Sequence, residues 1–60
     1  MTIGNKIRFF RNLRGYTQDE LGQKIGLQGD RVRQYENGIR TPKADKLEAL
    51  ANALDVDIAA

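Results

Sequence analysis

The stretch Thr17-Gln18-Asp19-Glu20-Leu21-Gly22-Gln23-Lys24-Ile25-Gly26-Leu27-Gln28-Gly29-Asp30-Arg31-Val32-Arg33-Gln34-Tyr35-Glu36 decides the fold. Thr17 can accept from the backbone N–H of Glu20 while the Glu20 carboxylate reaches back to the amide of Thr17, a reciprocal cap that opens a helix at Gln18. Tyr16 before it and Leu21 after it occupy the positions of a hydrophobic staple. Leu21 and Ile25 form the apolar face of this helix, and Gly26 ends it where positive φ is needed. After the short link to Gln28, Gly29 to Glu36 reads as a further helix with Val32 and Tyr35 on one face and Arg31, Arg33 and Gln34 on the others. Asn37-Gly38 stops it. Gly22 has no bulk, so it lets the two helices approach, at a cost of about 0.5–1 kcal/mol relative to alanine.

Upstream, Ile3, Ile7, Phe10 and Leu13 recur at helical spacing among Lys6, Arg8, Arg11 and Arg14, with Thr2 as N-cap and Gly15 as stop. Phe9 falls off this stripe. Tyr35 and Phe10 sit at core spacing, which favours packing over base stacking. Downstream, Thr41 and Pro42 can serve as N-cap and first-turn proline of a helix from about Lys43 to Leu54, whose Leu47, Leu50, Ala51 and Leu54 close the core. Asp57 resembles the cap of a further helix, so the sequence reads as a domain from the N-terminal part of a longer protein. The expected architecture is all-α: one domain over residues 1–60, a compact bundle of four to five short helices with a helix-turn-helix at about 17–36.

Sixty residues bury only about 60% of the surface that the unfolded chain exposes, so stability is expected to be marginal. The chain has no cysteine and no histidine, which excludes a disulfide framework and the usual zinc sites, and no cofactor is expected. Serine is absent too, which removes the remaining common nucleophile and argues against an enzyme. Asp19/Glu20 and Asp55/Asp57 read as capping or solvated acids. Apolar runs fall far short of the roughly 20 residues that cross a bilayer, and the start lacks the charged and apolar regions of a signal peptide; a cytoplasmic location without membrane association is expected. Residues 1–46 carry all ten Lys and Arg against five acids, whereas 47–60 carry three acids and no base. Such a localised positive field suits a phosphate-bearing partner.

The elements Thr17-Gln18-x-x-Leu21-Gly22-x-x-Ile25-Gly26, Val32-x-x-Tyr35-Glu36-Asn37-Gly38, Pro42 and Leu47-x-x-Leu50-Ala51-x-x-Leu54-x-Val56 resemble the phage-repressor and Cro type of helix-turn-helix, the XRE-like family, from about Ile7 to Val56. The resemblance implies a five-helix domain of a bacterial or phage transcriptional regulator, a repressor, that binds palindromic double-stranded operator DNA as a homodimer. Residues 28–36 would then enter the major groove. It implies base contacts from Gln28, Gly29, Asp30, Arg31 and Gln34, and contacts to the DNA backbone from Gln18, Asn37 and Arg40. It also implies an architectural ion pair between Arg11 and Glu36. A protein-interaction module on the same fold, such as an antitoxin or coactivator-like domain, is the alternative.

Several details stay open in the residues themselves. Gln28 is a poor N-cap followed by a flexible glycine, which allows the third helix to start at Gly29 or at Asp30. Asp30 either accepts from cytosine N4 or serves as a first-turn acid on the helix dipole. Arg31 and Arg33 project about 200° apart, so one reads bases and the other braces. Arg31 is the reader of guanine O6 and N7 on this view, Arg33 a backbone contact, and Gln34, on the face of Arg31, a reader of adenine.

Overall fold

The computed structural model describes residues 2–57 as four helices: α1 (Ile3–Arg14), α2 (Gln18–Lys24), α3 (Gly29–Glu36) and α4 (Ala44–Leu54). The end caps follow the local chemistry. Thr2 Oγ1 accepts from the Asn5 amide at 3.1 Å to open α1, and Gly15 closes it at φ 78°. The reciprocal cap of α2 is complete, with Glu20 N donating to Thr17 Oγ1 at 3.0 Å and Thr17 N donating to Glu20 Oε1 at 2.8 Å. The capping contacts also hold the Glu20 carboxyl below its ordinary range, first through the Thr17 backbone N–H and then through the Thr17 hydroxyl. The helix expected to open at Asp57 falls on residues 58–60, outside the described residues.

Ile7, Leu21, Ile25, Val32, Tyr35, Leu50 and Leu54 form the buried core, so each helix contributes its apolar stripe. Tyr16 and Leu27, at the two ends of α2, pack against it half-buried. Leu13 does not join the stripe of α1 as expected; it is 62% exposed. Six residues along a helix is a rotation that leaves Leu13 about 120° from Ile7, and half-buried Arg11 and exposed Arg14 stand on the Ile7 side of the last turn. Arg14 crosses to α4, where its Nε donates to Leu54 O at 2.9 Å. It supplies the cation that the last turn of α4 lacks.

The expected cap at Thr41 is also displaced. Helix α4 starts at Ala44 with Lys43 in the N-cap position and no side-chain cap. Pro42 is buried, lining a cleft with Ile3 and Tyr35, so it packs the loop under α1 instead of opening α4.

Two glycines mark close backbone approaches. A Cβ at Gly22 would lie 2.6 Å from Leu27 O and 3.0 Å from Gln28 C, so Gly22 makes room for the turn itself rather than for α3. A Cβ at Gly4 would lie 2.5 Å from Glu36 O and 2.6 Å from Tyr35 O, where α1 crosses the end of α3. Backbone cannot yield as a flexible side chain does. Gly4→Ala and Gly22→Ala are each expected to cost about 1–3 kcal/mol through overpacking, despite alanine's better helix propensity. Thermal melts followed by circular dichroism check this; a rise in melting temperature for either variant would show that the approach is looser than described.

Candidate nucleic-acid interface

The outer face of α3 is held in place from within by Glu36, whose side chain is fully buried. Arg11 donates to it twice, Nε to Oε2 at 2.6 Å and Nη2 to Oε1 at 3.2 Å, while its Nη1 donates to Tyr16 O at 2.9 Å. Arg8 Nε donates to Oε1 at 3.3 Å, and Gln18 Nε2 to the same oxygen at 3.2 Å. The ion pair implied by the resemblance is thus the centre of a larger cluster that joins α1, α2 and α3. Burial pushes the Glu36 carboxyl up, but the hydrogen bonds from Arg11 and Gln18, the charge of Arg11 and the hydrogen bond from Arg8 outweigh it. The net result is a carboxyl held below its usual range.

Arg8 was not singled out from the sequence. Its signal was present, because Arg8 and Arg11 stand three apart on one helix face. Arg8 also donates from Nη2 to Asn37 Oδ1 at 2.7 Å, which orients the Asn37 amide at the end of α3.

Helix α3 starts at Gly29, and Gln28 occupies the N-cap position without a side-chain hydrogen bond. The later start at Asp30 does not occur. Gly29 is buried so closely against Asp19 of α2 that any side chain would collide with the Asp19 carboxylate, and this packing pins the first turn. Gly29 therefore faces α2, whereas Gln28 and Asp30 are exposed.

Gln28, Asp30, Arg31, Gln34 and Arg40 surround one open concavity of about 300 Å³. The residues expected to meet base edges, Gly29 apart, therefore share a surface with Arg40 from the following loop. Arg33 does not line this concavity but reaches back along α3 to Asp30, which does: its Nε donates to Asp30 Oδ1 at 2.9 Å and its Nη2 lies 2.8 Å from the same oxygen. Asp30 Oδ2 accepts from Gln34 Nε2 at 3.4 Å, and Gln34 Oε1 accepts from Arg40 Nε at 3.3 Å. Half-buried Arg31 also lines an adjoining concavity of about 250 Å³ with Tyr35, Arg40, Lys43, Asp45 and Lys46. Cations from α3, the loop and the start of α4 thus stand on one side of the molecule, a surface suited to a polyanion.

Residues 7–60 match a family model described as helix-turn-helix. The chain is similar to an uncharacterized HTH-type transcriptional regulator of Sinorhizobium medicae (strain WSM419), 29% identical over 56 residues that cover 93% of this chain and 40% of that protein. It is similar to the HTH-type transcriptional regulator ImmR of Bacillus subtilis (strain 168), 32% identical with 93% of this chain and 44% of ImmR covered. Against YazB, an uncharacterized HTH-type transcriptional regulator of the same strain, identity is 34%, with 88% of this chain and 77% of YazB covered. The chain thus spans about two fifths of the length of the first of these relatives. Among solved structures, it superposes with a TM-score of 0.91 and 28% identity on the P22 c2 repressor protein in complex with a synthetic operator, covering 97% of this chain and 88% of that one.

The Glu36 cluster sets two expectations. Glu36→Ala leaves Arg11 facing a buried gap and is expected to cost about 3–5 kcal/mol, enough to unfold a domain of this size at room temperature; an unchanged melting temperature would overturn the pairing. Because the native carboxyl titrates lower than in the unfolded chain, its contribution is fully present above the ordinary glutamate value of about 4.3 and is lost as pH falls through the lowered native value. Melting temperature measured against pH should therefore drop on the acid side, and Glu36→Gln should flatten that drop from an already lower plateau.

Proposed function

The chain belongs to the helix-turn-helix family of the phage-repressor and Cro type, and on that premise we propose that it is the sequence-specific DNA-binding domain of a bacterial transcriptional repressor, with α3 in the major groove. The observation that carries this reading is the polar outer face of α3, exposed along one side of a helix whose other side is locked to α1 and α2 through Glu36. An α-helix fits the major groove of B-DNA, and side chains at the start of such a helix reach base edges. The likeness to a repressor solved on a synthetic operator supports the same placement.

Within this reading Arg31, which has no side-chain hydrogen bond among the described residues, reads guanine O6 and N7, and Gln34 reads adenine. Gln28 and Asp30 flank them at the rim of the groove, while buried Gly29 seats the helix start on α2. Gln18, Asn37 and Arg40 meet the sugar-phosphate backbone and set the register. Arg33 lies on the flank of α3, where it neutralises Asp30 and borders the backbone. Two copies, each with α3 in successive major grooves, would bind half-sites about one helical turn apart on a palindromic operator. Such a regulator works in the cytoplasm, where the chromosome is.

Titration of labelled duplexes at two salt concentrations tests the proposal. Affinity is expected to fall steeply with salt on all DNA, from counterion release, while one selected sequence stays far tighter than random duplex. Equal affinity for selected and random DNA rejects sequence-specific regulation. Arg31→Ala should lose about 1–3 kcal/mol of discrimination at one G·C pair.

A further inference from the structure

Gln34 lies between two charged groups of opposite hydrogen-bonding character. Its Nε2 donates to Asp30 Oδ2 at 3.4 Å, and its Oε1 accepts from Arg40 Nε at 3.3 Å. A carboxylate only accepts and a guanidinium only donates. Turning the amide over would aim its NH₂ at the guanidinium and its oxygen at the carboxylate, replacing two attractive contacts with two repulsive ones. Asp30 and Arg40 therefore decide which end of the amide is the donor.

Asp30 is itself held on this face by Arg33, at 2.9 Å from Nε and 2.8 Å from Nη2. Arg33 also covers a negative charge that would otherwise face phosphates. The Gln34 amide has two hydrogens and two lone pairs, and one of each is engaged by its neighbours. One hydrogen and one lone pair remain, the set that pairs with N7 and N6 of adenine.

Resting on the DNA-binding reading above, we propose that Asp30 and Arg40 are positioning residues that preset the Gln34 amide, making Gln34 the specificity-determining reader of one adenine. Asp30 then acts through Gln34 and contacts no cytosine of its own. Its removal is felt at the base pair that Gln34 reads.

The test uses the full chain. Duplexes bound by the native protein are selected from a randomised pool, and affinities for the winner and its single-base variants are measured for the native chain, Gln34→Ala, Asp30→Ala, Asp30→Asn, Arg40→Ala and the double variant Asp30→Ala/Gln34→Ala. Circular dichroism confirms equal helix content. Base preference is taken as a ratio within each variant, so uniform changes in electrostatic attraction cancel. Gln34→Ala is expected to lose the preference at one A·T pair. Asp30→Ala and Arg40→Ala should each lower the preference at that same pair about three- to tenfold. Asp30→Asn keeps an acceptor oxygen and should restore most of it. The double variant should be no worse there than Gln34→Ala alone, as expected of residues that act as a unit. An undiminished preference at that pair in Asp30→Ala, or a loss at a different pair, overturns the proposal while leaving sequence-specific binding intact. A native chain that enriches no sequence overturns the DNA-binding reading and this proposal with it.

Discussion

The arrangement of the helices depends on one buried carboxylate. The Glu36 side chain has no solvent exposure, and an isolated charge in that position would cost several kcal/mol. Arg11 and Arg8 from α1 and Gln18 from α2 converge on it, so three helices meet at a single group with defined directions of approach. Apolar contacts such as those of Ile7, Leu21 and Val32 hold helices at a distance but specify direction weakly. Two hydrogen bonds from one planar guanidinium specify both. A cluster of this kind adds little net stability over an apolar substitute. Its contribution is to the angle at which α3 leaves the bundle, on which the outer face depends.

Close backbone packing completes that constraint. Gly4 lets α1 touch the carbonyls of Tyr35 and Glu36, Gly22 receives the turn after α2, and Gly29 seats the first turn of α3 on Asp19. These contacts bracket α3 at both ends. In so small a domain the apolar core is limited, and rigidity comes from backbone held against backbone as much as from side chains.

The outer face works by different rules. Exposed ion pairs such as Asp30–Arg33 contribute about 0–1 kcal/mol, so this network bears little on folding. What it controls is orientation: Arg33 turns toward Asp30, and Gln34 is polarised between Asp30 and Arg40, whereas Arg31 makes no side-chain hydrogen bond among the described residues. Helix α3 is thus divided lengthwise into a side that anchors and a side that presents donors and acceptors in fixed directions.

The amino-acid sequence by itself determined what depends on near neighbours along the chain. The Thr17/Glu20 cap, the glycine stops at Gly15, Gly26 and Gly38 and the apolar spacing of Leu21, Ile25, Val32 and Tyr35 were legible because each acts within a turn or two of helix. The helix-turn-helix resemblance extended that reading to the pair Arg11 and Glu36, which are 25 residues apart. Tertiary structure decided the rest. Leu13 is exposed and Pro42 buried because of what lies opposite them; Arg8 joins Glu36, Arg14 caps α4 and Gly29 starts α3 for the same reason. Periodicity assigns a residue to a face of its own helix, but only the packed neighbour determines whether that face meets a carbonyl, a carboxylate or water.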